Sequence, residues 1–194
     1  MSAAPRTSRE LAETVLEVMR TRRVVRRFTD GPVSEADVRA VLEAGRWATT
    51  GGNRHVHRFL VVRDPAVIRL VKLMSPGMLN APTALIVVCL DLEQSEQQQV
   101  PVERHDSVWI DVGTAAMNMM VVAHALGLGS CPVTSYSRSG VSTLLDLPET
   151  VVPQLFVLLG HPARHRRQLR TGASTRLSVD DLTYWEHYGQ RTTA

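Results

Sequence analysis

Four arginines, Arg22, Arg23, Arg26 and Arg27, fall within six residues, and Arg176 stands alone before the last helix-forming stretch. A guanidinium fork meets phosphate oxygens in pairs, and a phosphate monoester carries close to two negative charges. Burying such a dianion takes more than one cation. By composition alone the cluster serves equally well as a solvated basic surface. A second feature is TTGGNRHVH, Thr49–His57, which has no periodicity and holds the adjacent Gly51 and Gly52. Glycines let backbone amides come close to a ligand. His55 and His57, and His161 and His165, have spacings that a metal ion could use. No HExxH and no cysteine pair accompanies them, so no metal site is assigned.

Other chemistries fail on their motifs. GxxxxGK[ST], GxSxG and the kinase set are absent, so there is no basis for phosphate-loop, hydrolase or kinase chemistry. GLGS at Gly127 follows a helix rather than a strand and lacks the third glycine of a dinucleotide fingerprint. The formal net charge is +3, but the arginines cluster at 20–27 and 164–170. Without an aromatic-studded basic face, a nucleic-acid module has little support. Cys89 and Cys131 lie far apart; they read as core thiols in a reducing compartment. The N-terminus has no apolar signal-like region, and a cytoplasmic protein with no membrane partner is expected.

The elements that must carry these residues alternate between helical and extended patterns. Ser8 is the expected cap of a helix to about Arg20, with Leu11, Val15, Val18 and Met19 inward. Ser34, with Asp37 three residues on, starts a second helix carrying Val38, Val41, Leu42 and Trp47. Arg58–Arg63, Leu85–Leu90 and Leu155–Leu159 read as strands, LIVVCL being the buried central one, and Cys131–Thr134 as a brief strand or loop. Pro65–Met74 and Ser139–Leu145 read as short helices, and Asp91–Asp106 as a polar loop. Ser178 caps a last helix, with Leu182 and Trp185 for packing. The longest apolar run, Ser107–Ser130, is helical in period yet apolar nearly all round, and it stops at Gly127 and Gly129. Such a helix needs a large domain or a second subunit around it. Asp111, Asn118 and His124 argue against a membrane span. One domain of α/β or α+β type over residues 1–194 is expected, with a central sheet covered by helices.

TRRVVRRFTDGPVSEADVRAVLEAGRWATTGGNRHVHRFLVVRD resembles the opening of the FMN-dependent nitroreductase family. That opening pairs an Arg-Arg-Ser-x-Arg-x-Phe element with a loop of the type Pro-Ser-Gly-Gly-Asn-x-Gln-Pro-Trp-x-Phe. IDVGTAAMNMMVVAHALGLGSC resembles the family's buried helix, LLDLPETVVPQLFVLLGHPA the segment after it, and TRLSVDDLTYWEHYG the closing one. The resemblance implies an α+β fold with a central mixed sheet flanked by helices, in an intertwined homodimer with a buried central helix and two FMN sites at the subunit interface. It also implies NADH or NADPH as donor and ping-pong reduction of nitroaromatics, quinones or related small acceptors. Two other outcomes stay open: a biosynthetic flavin-dependent dehydrogenase or oxidase of the same family, and a flavin-binding protein with little turnover.

Residue by residue, the resemblance assigns Arg22, Arg23 and Arg26 to the phosphate, ribityl chain and flavin edge, with Val24 among them. Thr50, Gly51, Gly52, Asn53 and His55 match the loop beside the ring. Val133, Thr134 and Ser135 match the backbone segment near the reactive ring, and Arg176 the arginine that reaches the phosphate. No catalytic side chain is named, because the flavin would do the redox chemistry. The chain departs from the family pattern at Val24, where serine is usual, and at Thr49-Thr50, where Pro-Ser is usual. It departs again at His55-Val56-His57, where Gln-Pro-Trp is usual, and at Ser174, where lysine often stands.

Overall fold

Every residue from Ala84 to Leu90 is buried, which is why that run shows no alternation in the sequence. The alternation is in what each residue meets. Ala84, Ile86, Val88 and Leu90 face one core, with Val38, Val41, Val112 and Met119. Leu85, Val87 and Cys89 face the other, with Ile68, Val71, Val141 and Phe156. A strand covered on both faces gives such a continuous apolar run.

The computed structural model describes residues 7–100, 107–163 and 177–190. They fall in two units, Met1–Ala163 and Arg164–Ala194. In the first, α1 (Ser8–Thr21) and α2 (Glu35–Arg46) precede β1 (His57–Val62), α3 (Pro65–Leu73) and β2 (Ala84–Asp91). There follow α4 (Leu92–Gln97), α5 (Ser107–Ala125), β3 (Gly129–Val133), α6 (Arg138–Leu144) and β4 (Val151–Gly160). The second unit contains α7 (Val179–Leu182), whose N-terminus is closed by a capping box between Ser178 and Asp181. Leu182 and Trp185, expected to pack, are exposed. Arg176, Ser174 and the arginines from 164 to 170 lie outside the described residues.

The sheet order is β1-β2-β4-β3. All three pairings are antiparallel, where a mixed sheet was expected. β1 and β2, and β3 and β4, are neighbours in both sequence and space, joined through α3 and α6. After each helix the chain runs on, through 74–83 and 145–150, and enters the next strand antiparallel, where a direct strand-helix-strand crossover would have given a parallel pair. The parallel component is one bridge, Val24 to Ser130, at the outer edge of β3.

Local corrections are small and physical. Thr7, not Ser8, caps α1, because Glu10 completes a capping box with it. The apolar residues of α1 are not inward in the single chain: Leu11, Val15 and Met19 are exposed. Trp47 is 70% exposed; it follows the end of α2 and donates to Glu43 Oε1. Part of the expected polar loop after β2 is helical, since Asp91 accepts from Gln94 N and starts α4. Residues 101–106 of that stretch lie outside the described residues.

The central helix α5 buries Val108, Val112, Ala115, Ala116, Met119 and Ala123. It leaves Trp109, Ile110 (63% exposed) and Met117 in the open. Within one chain the expected all-round burial is met on one side only. Val108–Ala125 has the length and composition to cross a membrane, but its inner face is part of the core of the sheet.

Candidate functional site

The arginine segment leaves α1 and runs along the edge strand β3. Val25 N donates to Ser130 O at 2.9 Å, and a Cβ on Gly129 would sit 2.7 Å from Val25 Cγ1. Only glycine allows this approach. Arg22 lies half-buried at the start of the segment, and its Nε and Nη1 are buried with no hydrogen-bond partner among the described residues. Donors in that state call for an acceptor, and a phosphate oxygen pair fits the fork. Arg23 turns one nitrogen back onto Arg20 O and Arg22 O, at 2.7 and 2.9 Å, and so completes the end of α1. Arg26 lies near enough to Cys131 to draw its thiol pKa down against the upward push of burial. Its carbonyl accepts from Asn80 Nδ2 at 3.0 Å. Val24 is exposed beside them.

Val133, Thr134 and Ser135 lie at the far end of β3. Ser135 O accepts from Gly77 N and Ser75 Oγ, both at 3.2 Å. A Cβ on Gly77 would meet Val133 Cγ1 at 2.7 Å, so the turn Ser75–Gly77 is moulded onto this segment. Tyr136 stacks on Phe156 with ring centroids 3.9 Å apart, and burial pushes its phenol pKa up. Cys89 is pushed up to about 12 by burial. Neither cysteine is a reactive thiolate at neutral pH, in line with their expected packing role.

The glycine loop is built differently. Gly51–Asn53 form one 3-10 turn, and Gly52, Asn53 and His55 have φ of +63°, +57° and +46°. Three left-handed residues so close together need outside support. Some comes from within: Thr50 Oγ1 accepts from His55 N at 3.4 Å, and the Asn53 amide oxygen lies 2.9 Å from His55 Nε2. More comes from Asp111, 7% exposed, whose Oδ1 and Oδ2 accept from Gly51 N at 3.2 and 3.1 Å. Loop and Asp111 together line a cleft of about 200 Å³. Downstream, Arg58 donates to His55 O and His57 O, both at 3.0 Å, and pairs with Asp91 Oδ2 at 3.0 Å. Burial lowers the pKa of His57, with His55 and Arg58 acting the same way and Asp111 opposing.

One chain therefore joins Arg22–Arg26 to β3 and holds Gly51–His57 elsewhere. Thr21 Oγ1 lies 3.0 Å from His124 Nε2, near the C-terminal end of α5, whereas Gly51 hangs from Asp111 near its N-terminal end. Those helix positions are thirteen residues apart, about 20 Å at 1.5 Å per residue. The loop also leads into β1, and β1 and β3 are opposite edges of the sheet, about 14 Å across three strand spacings. The two groups occupy diagonal corners. Among the described residues no cluster of three or more His, Cys, Asp or Glu side chains is disposed to hold a metal.

The model of the nitroreductase family matches residues 19–75 and 69–161. The chain belongs to the nitroreductase family. A curated relative from Archaeoglobus fulgidus, a putative NADH dehydrogenase/NAD(P)H nitroreductase, is 32% identical over 77% of this chain and 86% of its own. The NADH dehydrogenase of Thermus thermophilus is 26% identical over 84% of this chain and 92% of its own. Among solved structures, NfrA1 of B. megaterium superposes with a TM-score of 0.77 at 25% identity, covering 90% of this chain and 75% of that one. A nitroreductase family protein of Clostridium difficile shares the fold, with a TM-score of 0.73, covering 89% of this chain and 98% of that one. The match to the family model runs through both corners of the sheet, since it includes Arg22–Arg26, Gly51–Asn53 and Val133–Ser135.

Asp111, Asn80, Ser75 and Arg58 join the predicted residues in the site, and of these Asp111 carries a signal in the sequence, as an acid within an apolar helix.

Proposed function

We propose that this nitroreductase-family oxidoreductase works as a homodimer with FMN at two subunit-interface sites, taking electrons from NADH or NADPH and reducing a small acceptor such as a nitroaromatic or a quinone. FMN with NADH or NADPH accords with the names of relatives, among them an FMN reductase (NADPH) and an FMN reductase [NAD(P)H], both of Bacillus subtilis. The observation that carries the cofactor assignment is the half-buried Arg22, whose Nε and Nη1 are buried with no described partner.

In this reading, Arg22 and Arg26 bind the phosphate and ribityl end along β3, while Arg23 mainly fixes the end of α1. Val133–Ser135 offer backbone groups farther along the same edge. The Thr50–Asn53 loop and His55 would lie beside the ring. Because that loop and Arg22 occupy diagonal corners of one chain, each site draws its loop from the other subunit. The open side of α5, with Trp109, Ile110 and Met117, and the exposed apolar residues of α1 then supply the subunit contact. Bound FMN supplies the two-electron redox chemistry; the chain binds, orients and screens it from water. The buried cysteines and the absence of a reactive thiolate fit a cytoplasmic enzyme.

The test is anaerobic addition of NADH or NADPH to purified protein supplemented with FMN, with the oligomeric state measured in parallel. Bleaching of the flavin band in a dimer is expected. A protein that takes up no FMN, or a monomer in dilute solution, overturns the reading. Flavin uptake without bleaching by either nucleotide overturns the reductase reading and leaves the biosynthetic dehydrogenase or oxidase and the low-turnover flavin-binding protein, the latter motivated by the altered His55-Val56-His57 loop and Val24.

A further inference from the structure

Between Val108 and Ala123, α5 carries three polar side chains, Asp111, Thr114 and Asn118. Their spacing of three and four residues sets them on one stripe of the helix. Each reaches backbone of the segment that leads to the glycine loop. Asp111 takes the Gly51 amide on both carboxylate oxygens, at 3.2 and 3.1 Å. Thr114 Oγ1 donates to Asp111 O at 2.9 Å and reaches Thr49 O at 3.4 Å. Asn118 Nδ2 donates to Ala44 O at 3.3 Å. The polar stripe therefore follows the chain from the end of α2 to the turn, with its shortest contact to the loop at the turn itself.

The loop needs that support. Gly52 and Asn53 take the left-handed region readily, but His55, at φ +46° and two residues after Asn53, is the less common occupant whose conformation the surroundings must hold. A buried carboxylate is also a costly group to maintain. An apolar residue would pack as well at position 111 if packing were all that counted.

We propose that Asp111 is a positioning residue for the flavin reaction, fixing Gly51 and the left-handed turn after it, with Thr114 and Asn118 setting the register of the approach. This rests on the FMN reading above. The stripe borders the open side of α5 that is the proposed subunit contact, since Ile110 and Met117 lie one turn on either side of Thr114, so one helix would both join the subunits and set the loop that each lends to the other.

The test compares Asp111→Ala, Asp111→Asn, Thr114→Val and Asn118→Leu. In FMN-loaded protein, Asp111→Ala should lower kcat/KM for NADPH per bound flavin by at least about tenfold, the usual consequence of losing a hydrogen bond to a charged group. It should also alter the shape of the visible flavin band. Asp111→Asn keeps an acceptor oxygen facing Gly51 and should restore most of the activity. The other two variants should change it by less than about threefold, as expected of longer, neutral bonds. Without FMN, amide hydrogen exchange at 50–55 should speed up in Asp111→Ala and stay near wild type in Asp111→Asn. Wild-type kcat/KM and flavin band in Asp111→Ala, or unchanged exchange, would overturn the proposal. A wild-type protein that binds no FMN instead sinks the cofactor reading, and the exchange comparison still decides whether Asp111 holds the loop.

Discussion

Around Arg22 the backbone is pinned by the sheet, whereas around Gly51 it hangs from the side chains of a helix. The first corner is made by close approach. Val25 lies against Gly129, Val24 bridges to Ser130, and Gly77 is moulded onto Val133 and Ser135. Such packing fixes cations in place before any ligand arrives, as Arg22 shows with its buried, unpartnered nitrogens. The second corner has a strained turn with φ of +46° to +63°, held by Asp111, Thr50 and Arg58 through hydrogen bonds. A corner made by packing suits a charged end that must be met in one way. A corner held by hydrogen bonds can be retuned by single substitutions.

The largest effect should come from breaking the packed corner. Arg22→Ala removes two charge-assisted donors, and FMN should bind about a hundredfold more weakly in a fluorescence titration. Unchanged affinity would remove Arg22 from the phosphate site. A subunit-mixing experiment then tests whether the two corners meet across the dimer. Arg22→Ala and Gly52→Val should each be nearly inactive alone, the second because a β-branched residue resists the left-handed turn. Co-expressed under different tags, mixed dimers would carry one doubly damaged site and one intact site. They should recover about half the wild-type activity per dimer. No recovery would mean that both residues of each site come from one chain.

The two corners were not equally legible in the sequence. The arginine cluster announces itself by composition, and β2 by a continuous apolar, β-branched run typical of a doubly covered strand. The glycines and the family motif placed the loop at 49–57, close to the observed turn and the start of β1 at His57. What could not be read was geometry that depends on the third dimension. Nothing in the spacing of Arg22 and Gly51 reveals that β1 and β3 are opposite edges of the sheet, because edge position depends on the pairing of β2 with β4. Asp111 was visible, but its partner is sixty residues away, beyond any periodicity argument. The apolar circumference of α5 was read correctly as a composition. A single chain covers one side of it, and composition does not say what covers the rest. Thr7 was missed as the cap of α1 for a smaller reason, since Ser8 beside it is as good a cap by type and the reciprocal bond from Glu10 decides between them.

A gentler perturbation of the packed corner is Gly129→Ala. The new Cβ would lie within 2.8 Å of both Cγ1 and Cβ of Val25, so the arginine segment must move off β3. Overpacking of this kind costs about 1–3 kcal/mol, which lowers Tm by several degrees in a domain of this size at about 2–4 °C per kcal/mol. Weaker FMN binding should accompany the drop. A fall in Tm with unchanged FMN affinity would separate the strand contact from the position of Arg22.

The smallest effect belongs to the other corner and reads out its electrostatics. His57 is buried at the start of β1, with its ring centroid 5.0 Å from that of Phe59. Burial, His55 and Arg58 all favour its neutral form, and Asp111 opposes them more weakly. Its folded pKa therefore lies below the unfolded value of about 6.5. The unfolded chain binds the proton first, so as pH falls below about 6.5 the unfolded state is favoured, and the loss continues until the folded-state pKa is passed. Stability from this residue is thus fully present above the unfolded pKa and declines on acidification. His57→Phe removes the titrating ring and keeps an aromatic against Phe59, so Tm measured from pH 8 to pH 5 should fall less steeply in the variant than in wild type. Parallel curves would show that the imidazole titrates alike in both states, and that the loop corner places no electrostatic demand on it.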